Sequence, residues 1–99
     1  MFSSLNFDQY LSHFTGTHLL CLGDVMLDSF IYGRVERISP EAPVPVFHTS
    51  HKTISIGGAG NVVRNLSALG VETSFCGVIG QDYNGSKLNK LVDELPKTN

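Results

Sequence analysis

Apolar residues in this chain fall into short runs whose period changes along its length, and the changes mark out the elements. Leu5, Tyr10, Leu11 and Phe14 approximate a helical stripe closed by Thr15-Gly16-Thr17, which predicts a short leading helix. His18-Leu19-Leu20-Cys21-Leu22-Gly23 is a continuous apolar run, the pattern of a strand buried on both faces in a parallel sheet. Ser29 to Val35 alternates more and suits a strand with one wet face. Ile38 to Phe47 holds Pro40, Pro43 and Pro45. Proline cannot donate to a ladder, so this piece is expected to be extended, at an edge or in a lid, and never a central strand. Lys52 to Ile56 reads as another short strand, broken by Gly57-Gly58. From Gly60 the residues Val62, Val63, Leu66 and Leu69 take helical spacing, with Gly70 as the stop at C′. Val71 to Ile79 predicts a strand, and Leu88, Leu91, Val92 and Leu95 form one face of a second helix over Tyr83 to Leu95.

Strands alternating with helices predict an α/β fold, a parallel sheet with helices on both faces. Only two strands read as buried, and so small a sheet leaves apolar edges open. Residues 1–99 are therefore expected to be the N-terminal part of a larger domain. The 41% apolar and 16% charged composition is globular rather than disordered. A net charge of −2 without a basic block argues against a nucleic-acid partner. No apolar run approaches the ~20 residues of a membrane span, and Met1 to Tyr10 lacks the basic start of a secretory signal. Cys21 and Cys76 each sit in an apolar run and read as reduced, buried thiols of a cytoplasmic protein.

Three motifs carry candidate chemistry. In Gly57-Gly58-Ala59-Gly60-Asn61, glycines without Cβ atoms let the backbone approach a ligand, and the following helix N-terminus favours polar or anionic groups. Asn61 adds a side-chain donor and acceptor. Gly58-Ala59-Gly60 opens like a dinucleotide fingerprint, but Val63 occupies its sixth position and a strand and lid precede it, so dinucleotide binding is disfavoured. In Gly23-Asp24-Val25-Met26-Leu27-Asp28, carboxylates follow a buried strand, where α/β ligands sit. One carboxylate can accept from two sugar hydroxyls. Arg34 and Arg37 could clamp a phosphate, or simply be solvated at a strand end. His48 and His51 have no further ligand beside them, so no metal site is expected. His13 and His18 read as surface or packing residues.

Together these pieces resemble the ribokinase-like (PfkB) carbohydrate kinases. The Gly57 to Asn61 run, followed by Gly70 and Gly80, matches the first signature of that family. Val63 departs from it, since the family has a small residue there, and could crowd the helix against the sheet. Gly23 to Asp28 with Arg37-Ile38-Ser39-Pro40-Glu41-Ala42-Pro43-Val44-Pro45-Val46 is similar to the branch acting on D-glycero-β-D-manno-heptose 7-phosphate. That branch serves the ADP-heptose pathway of lipopolysaccharide core and is often fused to an adenylyltransferase. The resemblance runs from about His18 to Leu95. It implies a ribokinase-like fold with a β lid within about 29–56 that closes over a sugar phosphate and often pairs two subunits. It also implies that Asp28, Gly57, Gly58 and Asn61 hold sugar hydroxyls, with Arg34 or Arg37 near the 7-phosphate. ATP and Mg²⁺ are the cofactors of the full-length family. Its catalytic base is the Asp of a Gly-Ala-Gly-Asp motif far along a longer chain. No such motif occurs here, so this chain alone is expected neither to bind ATP well nor to transfer phosphate. Two other readings remain: a non-catalytic sugar-binding or dimerisation module, and part of a ribose-, fructose- or adenosine-type kinase.

Overall fold

A computed structural model describes residues 6–99. Leu5 of the leading stripe lies outside them. The order is α1 (Phe7–Ser12), a 3-10 turn (Phe14–Gly16), β1 (His18–Leu22), β2 (Val25–Ile38), β3 (Pro45–Gly58), α2 (Ala59–Ala68), β4 (Glu72–Cys76) and α3 (Tyr83–Asp93). The Asn6 side chain caps α1 by accepting from the Gln9 N–H at 3.3 Å. No residue of α1 is buried, so its stripe of Phe7, Tyr10 and Leu11 faces out.

β1 and β4 form a parallel pair running from His18↔Glu72 to Leu22↔Cys76. β4 stops at Cys76, short of the expected Ile79, because β1 leaves the pair at Gly23-Asp24 and its last bond is Gly23 N–H to the Cys76 carbonyl at 3.2 Å. One face of the pair carries Leu19, Cys21, Thr73 and Phe75 and packs toward α2, with Thr73 fully buried. The other face carries Leu20 and Leu22, exposed at 73% and 75%. The expected burial of β1 on both faces is not met: on the α2 side Leu19 stays exposed and Cys21 is half-buried, and no element among the described residues lies over the other side. Cys21 and Cys76 are free thiols, as expected, but Cys21 is only half-buried and Cys76, on the open face, is exposed.

β2 and β3 are longer than their patterns suggest. The pieces 29–35 and 52–56 belong to two strands of 14 residues each, paired antiparallel as one hairpin. Gly23-Asp24 turns the chain in two residues, and β-branched and aromatic residues on both strands sustain the ladder beyond them. The proline-rich run supplies the tip: Pro40 and Pro43 lie in the connection, and Pro45 opens β3, where a missing donor is tolerated. Ser39 N–H to the Val44 carbonyl, 2.8 Å, closes the tip. The hairpin projects from the body. The radius of gyration is 19.7 Å, against ~13 Å for a compact chain of this size.

The body packs around Val63, which is fully buried, with Ile56, Val71 and Leu88. Each such side chain contributes about 1.5–3 kcal/mol. α2 ends as expected, with Leu69 at the C-cap and Gly70 left-handed at φ 84°. The Asp82 side chain caps α3 by accepting from Gly85 N–H at 2.8 Å.

Candidate functional site

The glycine cluster sits where β3 becomes α2 with no loop between them. Gly58 is the last residue of β3 and the N-cap of α2, with φ 60° and ψ −136°, a conformation open to glycine alone. The turn is fastened by Ala59 N–H, which donates to the Asp24 carbonyl at 2.8 Å. Asp24 therefore acts through its backbone. A Cβ on Gly60 would fall onto the Ile56 side chain, so this glycine allows α2 to close onto the end of β3.

Register explains how Asp28 reaches the cluster. Asp28 pairs with Ser55 and Met26 with Gly57, so Asp28 and Gly57 are diagonal neighbours on one face of the hairpin. A Cβ on Gly57 would collide with the Asp28 carboxylate, its Cγ only 2.7 Å away. Asp28 is half-buried, and among the described residues its carboxylate has no hydrogen-bonding partner.

Asn61 is half-buried in the first turn of α2, and its Oδ1 accepts from Arg64 Nη2 at 2.7 Å. No side chain caps this helix end. Arg64 was not singled out by sequence reasoning. Its signal was the three-residue spacing from Asn61 that makes helical neighbours.

Arg34 and Arg37 are not brought to this corner. Val35 pairs with Phe47 and Arg37 with Val46, so the extra residue Glu36 swings Arg37 onto the face that carries Arg34 and Asp28. At ~3.3 Å per residue they stand roughly 20 and 30 Å out along the hairpin. The six C–C bonds of a seven-carbon chain, at ~1.5 Å each, span about 9 Å. Between them lies a cross-strand stack of Tyr32 on His51, centroids 4.4 Å apart and planes 8° from parallel. Ser50, the extra residue of β3, donates Oγ–H to the Tyr32 carbonyl at 3.1 Å. His18 lies on the open face of the parallel pair, its Nε2 2.9 Å from Ser74 Oγ.

Residues 16–95 match the pfkB family of carbohydrate kinases. The chain belongs to that family. The bifunctional protein HldE of Paramagnetospirillum magneticum is 57% identical over 79 residues, which cover 80% of this chain and 16% of that protein. The bifunctional protein HldE of Rhodopseudomonas palustris is 52% identical over 84 residues, 85% of this chain and 17% of that protein. For the Caulobacter vibrioides protein of the same name the identity is 51% over 90 residues, covering 87% and 19%. The chain thus spans less than a fifth of the length of these relatives. Among the described residues, no helix is long and apolar enough to cross a membrane.

Proposed function

We propose that this chain forms the sugar-binding and lid portion of a pfkB-type sugar kinase, one that phosphorylates D-glycero-β-D-manno-heptose 7-phosphate at O1 in ADP-heptose synthesis. The observation that carries this reading is the Asp28 carboxylate, half-buried, without a protein donor and seated on Gly57. A carboxylate accepts two hydroxyls at once, while Asn61 and the exposed backbone at Gly58 supply further polar contact. The similarity to the proteins named HldE supports the heptose branch.

ATP and Mg²⁺ belong to the full-length reaction in this reading. The residues at this corner do not suit them. The Asp28 carboxylate stands against Gly57, next to the turn, and its negative charge would repel a phosphate group placed beside it. Among the described residues, no group of three or more His, Cys, Asp or Glu could hold a metal ion. In this reading phosphoryl transfer belongs to parts of the kinase outside residues 1–99.

The hairpin is the lid of this reading and pairs two copies. Support comes from Ile31, Val35, Ile38 and Phe47, which expose a run of apolar surface on the hairpin face opposite Asp28. The test is calorimetric titration of the purified chain with heptose 7-phosphate. Binding that disappears in Asp28→Asn, with the fold retained, supports the reading, and no binding by the wild-type chain refutes it. ATP-dependent turnover by these 99 residues would overturn the assignment of transfer elsewhere.

A further inference from the structure

Arg64 lies one turn along α2 from Asn61, at the surface, and donates Nη2–H to Asn61 Oδ1 at 2.7 Å. That length is typical of a charge-assisted bond. A guanidinium has five N–H donors and no acceptor, so a carboxamide can face it only through oxygen. Turned over, Asn61 would set its own N–H donors against a cation. The orientation of the amide therefore follows from the chemistry of its neighbour.

We propose that Arg64 is a positioning residue, which holds the Asn61 carboxamide by its oxygen and leaves the Nδ2 amino group as the end offered to a ligand. The inference rests on the sugar-binding reading and deepens it, because it assigns polarity to the site. Ionised Asp28 only accepts hydrogen bonds, and Asn61 so held donates them. The matching ligand is a pair of sugar hydroxyls, one giving its proton to Asp28 and the other accepting from Asn61 through its oxygen. A protonated amino sugar fails at the second position, since an ammonium has no lone pair.

Side-chain amide resonances of the ¹⁵N-labelled 99-residue chain test this, with the Asn61 signal assigned by its loss in Asn61→Asp. In the wild-type chain the Asn61 NH₂ pair is expected to be dispersed. Arg64→Met keeps the aliphatic stem and removes the donors, so the pair should collapse toward the averaged position while Val63 and Thr73 backbone signals stay in place. Arg64→Lys should restore part of the dispersion. Heptose 7-phosphate should bind Arg64→Met about three- to tenfold more weakly than wild type. An averaged Asn61 pair in the wild-type chain, or one that Arg64→Met leaves unmoved, overturns the inference. If Arg64→Met moves the pair but the sugar perturbs neither Asn61 nor Asp28 in wild type, the sugar reading fails and the orientation stands.

Discussion

The Asp28 carboxylate lies against the bare α-carbon of Gly57, two positions along β3 from its own register partner Ser55. The strand partner fixes the height of the acid, and the missing side chain at 57 makes room for it. Neither residue alone makes the corner.

Gly57→Ala puts a methyl group where that carboxylate is. Asp28 must rotate out, and heptose 7-phosphate affinity should fall by about tenfold or more, equivalent to ~1.4 kcal/mol. Calorimetric titration of the variant checks this, and undiminished affinity would remove Asp28 from the sugar site.

Gly58→Ala should act on stability. Its φ of 60° and ψ of −136° are strained for any residue with a Cβ, and that atom would meet the Asp24 carbonyl that fastens the turn. A loss of about 1–3 kcal/mol is expected in urea unfolding.

Val63, where the resemblance implies a small residue, is completely buried at the centre of the body. The structure accommodates the extra methyl groups as core. Val63→Ala should therefore cost about 2–3 kcal/mol in chemical denaturation while leaving the affinity of the folded protein for sugar unchanged. A stabilised variant would show that the valine is crowded.

Arg34 and Arg37 stand roughly 20 and 30 Å along the hairpin from Asp28, and neither is expected to share one sugar phosphate with it in the same chain. Arg34→Ala with Arg37→Ala should leave affinity unaltered at low protein concentration. A drop that emerges only as protein concentration rises would assign both arginines to the site of a second copy, and sedimentation on the same samples would show the pairing.

Ser67 donates Oγ–H to the Pro96 carbonyl at 2.6 Å, tying α2 to the residues that follow α3. Ser67→Ala should cost about 1 kcal/mol, read as a lower midpoint of thermal unfolding with the sugar contacts intact.

Much of this was legible along the chain because it is written locally. The bounds of α2 follow from the spacing of Val63 and Leu66 and from Gly70, and β1 from an unbroken apolar run. The hairpin was legible only in pieces, since its length and the faces of Arg37 and His51 depend on the bulges at Glu36 and Ser50. Those are settled by cross-strand bonds, not by any one strand's pattern. Gly57, Gly58, Asn61 and Asp28 came forward through motif and resemblance. The reason Gly57 must be glycine is a diagonal contact that needs register. The bond from Arg64 to Asn61 stayed hidden because Arg64 reads as an ordinary surface charge until its partner atom is known.

The parallel pairing of His18 with Glu72 has a temporal consequence. All of the hairpin and α2 lie between the two strands, so closing that loop of more than 50 residues costs roughly 3–4 kcal/mol of chain entropy. During synthesis at ~5–20 residues per second, β1 waits several seconds for its partner to emerge. The hairpin, whose contacts are local at its tip, can form in microseconds once both its strands are out. The hairpin is thus placed to form before the parallel pair beside it closes.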